Sequence, residues 1–323
     1  MALTAVTRKS QLRRPSLDLG EEVVHRPVLL ERFLEAAEPK PEEVWVDATF
    51  GSGGYSRALL ARQCQVLALD WDELAEGFAR ELEEKFPEKF RFFRENFARL
   101  GELCRKMGFA WVDGVVLDLG VSGLQLSDPT RGFSFRTVGP LDMRMDRRLP
   151  LSARDLLYGA SLEDITVLFH RVLDLRESRK LARAVVMARE RGRLQTTTDL
   201  ARIAEKTLGW RRGSRIHPAT RPFLALRLAV NRELDYLPVA LREARDVLRP
   251  GGRLAVVAFH SLEDRIVKGF FRGEGDLGEG LPRDPGRKVG WFERVHRYLP
   301  TPEEVASNPR ARSARLRIGW KRG

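Results

Sequence analysis

The chain has 323 residues, 43% of them hydrophobic and 32% charged, an ordinary globular composition that suits one large domain or two, with two expected. Its formal charge of +12 and pI near 10.2 point to a polyanionic partner, because cations that neutralise phosphates release condensed counterions; a merely basic surface is the plain alternative. Only Cys64 and Cys104 occur, and the five histidines lack metal-ligand spacing, which excludes a disulfide framework and a structural zinc and suits a reducing cytoplasm; no apolar run reaches membrane-spanning length, so no membrane partner is expected.

In chain order, residues 1–22 read as a basic flexible tail or RNA-binding arm, with a transit peptide as the other reading. Strand-like apolar runs near 43–47, 65–70, 90–94 and 112–119 then alternate with helical patterns near 54–62, 72–86 and 97–107. Such alternation predicts an α/β fold, a doubly wound parallel sheet of Rossmann-like type. Residues 125–150 lose periodicity and are rich in Gly, Pro, Asp and Arg, which predicts a long loop of the kind that carries ligands at sheet ends. From 152 to 210 the pattern is helical and charged, with Ser161-Leu162-Glu163-Asp164 opening like a capping box, and it reads as an inserted helical domain. Apolar Phe223, Leu226, Val230, Leu234, Leu237 and Leu241 predict helix from Arg221 to Leu248, ended by Pro250-Gly251-Gly252. A fifth strand at 253–259, a mobile loop at 272–290 and a final strand at 314–321 complete the reading.

The most informative stretch runs from Val44 to Ser56: a strand ending in Asp47 enters a turn carrying Gly51, Gly53 and Gly54, where the missing Cβ lets backbone approach a ligand. Asp70 ends the next apolar run, nineteen residues past Gly51, close to the roughly 20-residue spacing at which an acid meets a ribose hydroxyl. A dinucleotide site wants a third glycine, but Ser56 stands there, and Asp47 would repel pyrophosphate while accepting hydrogen bonds from an ammonium, directly or through water. S-adenosyl-L-methionine therefore fits better than NAD, and a ligand-free turn is the bland alternative.

Asp118, ending the fourth strand in Asp118-Leu119-Gly120-Val121-Ser122, lies beside this site in a doubly wound sheet and is the best active-site carboxylate, unless it only caps a loop. With these motifs in view, the chain resembles the bacterial ribosomal RNA small-subunit methyltransferase H family, also called MraW. The resemblance runs through His25-Arg26-Pro27-Val28-Leu29-Leu30, Asp47 to Gly54, Asp118 to Ser122, Arg131-Gly132-Phe133-Ser134-Phe135, Gly139 to Asp146, His217 to Arg221, Phe259 to Arg265 and Asn308 to Ser313. It implies transfer of a methyl group from S-adenosyl-L-methionine to the exocyclic N4 of a cytidine in the decoding region of 16S rRNA, with the rRNA or the small ribosomal subunit as partner and a possible homodimer. The family fold implies a discontinuous methyltransferase domain, 23–127 and 222–323, around a loop and helical substrate-recognition insertion, 128–221. Cofactor contacts implied by motif fall on Gly53, Gly54, Tyr55, Asp70, Phe97, Asp118 and Gln125. The chain departs from the family pattern at Tyr55, at Gly123 and at Asp174-Leu175-Arg176-Glu177.

For the chemistry, Asp118 is the candidate acceptor for an N4 proton and His260, at the end of the fifth strand, is the second candidate, with backbone satisfaction as its alternative. Ser261 reads as the cap of the following helix, on which Arg265 and Lys268 can face phosphates. Arg131, Phe133 and Phe135 suit stacking on a flipped base, with core packing equally open. Arg144 pins RNA or an intraprotein ion pair, and Arg310, Arg312, Arg315 and Arg317 form a basic strip that can bind phosphate or remain solvated. A non-catalytic rRNA-binding assembly factor on the same scaffold is the competing function, disfavoured by a retained cofactor pocket.

Overall fold

Seven strands make one mixed sheet in the order β3-β2-β1-β4-β5-β7-β6. They are β1 Val44–Asp47, β2 Gln65–Leu69, β3 Phe90–Phe93, β4 Val112–Asp118, β5 Leu248–Ala258, β6 Phe292–Tyr298 and β7 Arg315–Lys321. The computed structural model describes residues 27–210, 213, 216–274 and 290–323, so the tail expected at 1–22 and most of the loop expected at 272–290 lie outside the described residues. β1 pairs in parallel with both β2 and β4, and β5 continues the parallel set beyond β4. Strand order therefore reverses between β1 and β4, the place where open α/β sheets form a crevice at their carboxyl ends. Asp47 pairs with Val116, and Asp118 follows two residues later, so the register brings both acids to that crevice.

Helices cover both faces, which is why the inner strands read as continuous apolar runs. On one face α1 Leu30–Ala37, α2 Gly54–Leu60 and α3 Ala75–Lys85 bury Phe33, Leu59 and Leu82 against Trp45 and Val66. The other carries α4 Leu100–Lys106, packed with Leu100, Leu103 and Cys104 on Val115 and Leu117. The helix expected at 97–107 starts as a 3-10 turn, Phe97–Arg99, because the Asn96 side chain accepts from Ala98 N–H at 2.8 Å and caps it. α5 Gly123–Ser127 follows β4 directly.

α6 Ala153–Gly159, α7 Leu162–His170, α8 Leu175–Glu190 and α9 Thr197–Leu208 form the helical layer, joined by α10 Thr220–Asn231 around a core that includes Ile165, Phe169, Leu181, Val185, Leu200 and Leu226. Each of the four starts with a reciprocal capping box, at Ser152/Asp155, Ser161/Asp164, Asp174/Glu177 and Thr196/Asp199. The single helix expected from Arg221 to Leu248 is two, α10 and α11 Glu233–Val247, because Arg232 adopts φ 50° and turns the chain. β5 starts before the expected strand and includes Pro250-Gly251-Gly252, whose exposed residues lie on a strand end that pairs with β4 at only one edge residue, Leu248. α12 Ser261–Phe271 and α13 Pro302–Ser307 follow; Glu304 of α13 accepts from Leu29 N–H at 2.6 Å. β6 was not expected: it is an antiparallel edge strand with mostly exposed side chains, so it carries no apolar alternation to read.

The loop after α5 is bound to the sheet by a buried ion pair. Arg131 donates from Nη1 and Nη2 to Asp72 at 2.9 Å each, and its Nη2 also reaches the carbonyls of Arg144 and Met145 at 2.9 and 2.8 Å. Asp72 takes a further bond from Gln125 Nε2 at 2.6 Å, and Asn231 of α10 accepts from Met145 N–H at 2.7 Å. Removing one member of a buried pair strands the other charge. Arg131→Met is accordingly expected to lower the unfolding free energy by about 3–5 kcal/mol, measured by urea titration.

Candidate active site

A cavity of about 740 Å³ opens at the carboxyl ends of β1, β2, β4 and β5, within the size range of small-ligand sites. Its acids are Asp70, Glu95, Asp118, Glu233 and Glu263, against Arg227 and Arg310 as its bases. A lining with this surplus of carboxylates suits a cation and sugar hydroxyls and disfavours a pyrophosphate.

Asp70 is anchored by backbone: Oδ2 accepts from Gly51 N–H at 2.7 Å and Oδ1 from Asp72 N–H at 2.9 Å. Burial pushes its carboxyl up to about 6, although those two bonds pull the other way. Gly51, at φ 56°, faces open space, so a ligand meets backbone there. Gly53 and Gly54 have another reason to be glycine: a Cβ would come within 2.7 Å of the Phe50 ring in the first case and 2.1 Å of Pro27 in the second. Gly54 lines the cavity, whereas Gly53 does not. Tyr55 lines it too, but its hydroxyl is spent on Val28 O at 2.6 Å, which accommodates the departure from the family pattern. Phe97 and Gln125 also line the cavity; Gln125 is buried, with Oε1 accepting from Ser122 N–H at 2.9 Å.

Asp47 corrects the sequence reading. It is fully buried and absent from the cavity lining; Oδ2 accepts from Ser56 N–H and Oγ at 3.1 and 2.7 Å, and Oδ1 from Thr49 N–H at 3.3 Å. Its work is to hold the start of α2, and Ser56 replaces the third glycine because it supplies that bond. Burial pushes the Asp47 carboxyl up to about 6.

Asp118 differs from both. Its backbone N–H donates to Thr49 Oγ1 at 2.6 Å, but Oδ1 is buried without any hydrogen-bond partner among the described residues. Among these residues it is the one carboxylate oxygen so left. Burial first, then the charges of Asp47 and Glu263, hold its carboxyl well above the usual range. An orphaned acceptor beside a cavity needs a donor from a ligand or water.

His260 corrects a second reading. It does not line the cavity; its Nδ1 accepts from Glu263 N–H at 3.3 Å, so His260 rather than Ser261 caps α12. Its Nε2 stands 3.0 Å from Glu263 Oε1 without the alignment of a hydrogen bond. Glu263 lines the cavity instead, with Oε2 accepting from Phe259 N–H at 2.9 Å. Arg227 donates to Glu233 through Nε at 2.8 Å and Nη2 at 2.9 Å, and Nη2 lies 3.6 Å from Glu263 Oε1. Sequence reasoning missed this trio. Its one signal was Arg227 standing four residues after Phe223 and three before Val230, a charge on the apolar phase of a helix.

Four RNA candidates are also corrected. Arg131 is 2% exposed and saturated by Asp72 and two carbonyls. Phe133 is buried in the helical-layer core, and Phe135 packs on His217 and Phe223 with ring centroids 4.8 and 5.0 Å away. Arg144 pairs with Asp142 at 2.7 and 2.9 Å and donates to the carbonyls of Arg147 and Leu149. Of the basic strip, Arg315 and Arg317 are paired with Asp264. Arg265, Arg310 and Arg312 are exposed and Lys268 half-buried, none forming an ion pair with a described residue.

Residues 22–322 match the MraW methylase family. The chain is similar to proteins named ribosomal RNA small subunit methyltransferase H: 48% identical over 300 residues to that of Methylacidiphilum infernorum, covering 92% of this chain and 94% of the relative. Against that of Thermomicrobium roseum the figures are 44% over 316 residues, 95% and 97%, and against that of Brucella canis 44% over 306 residues, 93% and 88%.

Because Asp47 and Asp70 are raised above the unfolded-chain value, the native state keeps protons that the unfolded chain has released. Their stabilising contribution is complete below about pH 4 and is lost as pH rises through about 6. The unfolding free energy of the ligand-free protein is expected to fall between pH 5 and pH 7, by on the order of 1 kcal/mol per group. Urea titrations across that range should show a flatter slope for Asp47→Asn, whatever its offset.

Proposed function

The chain belongs to the MraW methylase family, and from that premise we propose that it methylates the exocyclic N4 of a cytidine in the decoding region of 16S rRNA, in the cytoplasm. It is an S-adenosyl-L-methionine-dependent methyltransferase of small-subunit ribosomal RNA. The observation that carries the choice of atom is the buried, unpartnered Asp118 Oδ1 beside the cavity, an acceptor suited to an amino N–H.

The residues present fit the cofactor. Asp70 would take a ribose hydroxyl, Gly51 leaves backbone open to the ligand, Phe97 and Trp71 supply apolar walls, and the acid-rich lining favours the positive charge. When bound, S-adenosyl-L-methionine supplies an electrophilic methyl group on its sulfonium. The cytosine N4 lone pair is delocalised into the ring, so the amine is a weak nucleophile until it is oriented and its proton has an acceptor. As the sulfonium S–CH3 bond gave way to the N4–CH3 bond and left a neutral thioether, Asp118 Oδ1 would accept the N4–H hydrogen bond that orients the amine and would take the proton it loses. Burial, and then the charges of Asp47 and Glu263, raise its carboxyl, the direction that makes a carboxylate a stronger proton acceptor. Orientation supplies the larger share, since effective molarity is worth roughly 7–11 kcal/mol of barrier.

Within the 128–221 insertion, it is the helices rather than the Arg131–Arg144 loop that offer RNA a free basic surface. Arg176, Arg179, Lys180 and Arg183 are exposed on one face of α8, at i, i+3, i+4 and i+7, and form no ion pair with a described residue. The face spans about 10 Å and suits phosphate contacts. Replacing three of these cations by Ala is expected to weaken small-subunit binding and to lower the slope of log K against log salt by roughly 0.7–0.9 per lost contact, measured in a salt series.

Methyl-labelled S-adenosyl-L-methionine incubated with unmodified small subunits, followed by digestion and mass spectrometry, is expected to yield labelled N4-methylcytidine. Label on another nucleoside overturns the choice of atom, and no label with intact subunit binding favours a scaffold. Asp118→Asn is expected to cut turnover by roughly 10²–10⁴-fold while subunit binding persists.

A further inference from the structure

Arg227 is held in the cavity wall by two carboxylates yet has an unused end. Glu233 takes Nε and Nη2, Glu263 Oε1 lies 3.6 Å from the same Nη2, and Nη1 donates to no described residue. Two acids on one edge are more than burial of a single guanidinium requires. Glu263 is itself fixed, its Oε2 accepting from the N–H groups of Phe259 and His260 at 2.9 and 3.3 Å. The arrangement locks the fork of the guanidinium and leaves both Nη1 N–H groups without an acceptor among the described residues.

Gly120, whose φ of 101° favours glycine, stands at that corner: a Cβ there would lie in ordinary contact with the Phe259 ring at 3.5 Å and Arg227 Nη1 at 3.9 Å. Asp118, with its unpartnered Oδ1, lies two residues earlier, and Asp118, Gly120, Arg227 and Phe259 all line the cavity. One wall thus presents a donor, an acceptor and an aromatic face. Cytosine has the complementary edge, with O2 and N3 as acceptors and N4–H as donor. Uracil puts a carbonyl oxygen where cytosine has the amino group, and its N3 is a donor.

We infer that Arg227 Nη1 and Asp118 Oδ1 together read the Watson–Crick edge of an extruded cytosine, Arg227 binding O2, with Glu233 and Glu263 as positioning residues that aim the guanidinium. Base-modifying enzymes read an extruded base in this way, and a site built to hydrogen-bond a base rejects the analogue that leaves its polar groups unpaired. The inference rests on the N4-methylation reading above.

The test compares wild type with Arg227→Gln on unmodified small subunits, recording kcat, KM, affinity for S-adenosyl-L-methionine and the labelled nucleoside. The variant is expected to lose about 10- to 100-fold in kcat/KM, the worth of a charged hydrogen bond, while cofactor affinity stays within about twofold. Inhibition of the wild type by free nucleosides gives a second measure that requires no variant to fold: cytidine is expected to inhibit more strongly than uridine or 2-thiocytidine, whose sulfur is a poor acceptor. Wild-type kcat/KM in Arg227→Gln, an equal loss of cofactor affinity in that variant, or equal inhibition by all three nucleosides overturns the inference. Absence of N4-methylcytidine with the wild type would instead overturn the reading on which it rests.

Discussion

The Asp72–Arg131 ion pair is the constraint on which the rest of the site depends. Asp72 stands just past β2, in the turn that follows Asp70, and Arg131 belongs to the loop after α5; their 2.9 Å contacts join sheet and loop. Through Gln125 the same carboxylate fixes α5 behind Asp118, and through Met145 and Asn231 the loop is tied to α10, which carries Arg227. A buried pair of this kind is a poor source of stability by itself, since desolvation offsets most of its attraction. What it does here is specify one arrangement of three segments that are distant in sequence.

The electrostatics of the cavity follow from where the strands end. Parallel register brings the carboxyl ends of β1, β2 and β4 together, and each ends in or just before an acid. Asp47 and Asp70 are bonded to backbone or Ser56, whereas Asp118 keeps an oxygen without a partner, so similar residues at similar positions acquire different duties. Burial raises all three, and neighbouring acids add to it at Asp70 and Asp118, which favours a cationic ligand, because its charge offsets the carboxylate repulsion.

Much of the fold was legible because sheet and helix impose different periods on apolar residues, and the strands at 44–47, 65–69, 90–93 and 112–118 fall within a residue or two of the expectation. The break at Arg232 was not legible: nothing in Asn231-Arg232-Glu233 forbids helix, and it is the packing of two helices on different layers that asks for a positive φ there. β6 was missed for the opposite reason, since an edge strand takes its geometry from hydrogen bonds to β7 and leaves no apolar pattern behind.

By itself the sequence determined the Gly51 turn, the Asp70 spacing, the placement of Asp118 and the family, because these follow from local backbone needs and from ordered motifs. Tertiary structure decided which charges are available. Arg131 and Arg144 read as ligands for RNA and are consumed inside the protein, His260 reads as a base and is a helix cap, and Arg227 reads as part of a helix face and lines the cavity. Whether an arginine binds phosphate or a buried carboxylate depends on what lies within about 3 Å of its guanidinium. That is set by segments far away along the chain, which no local pattern records.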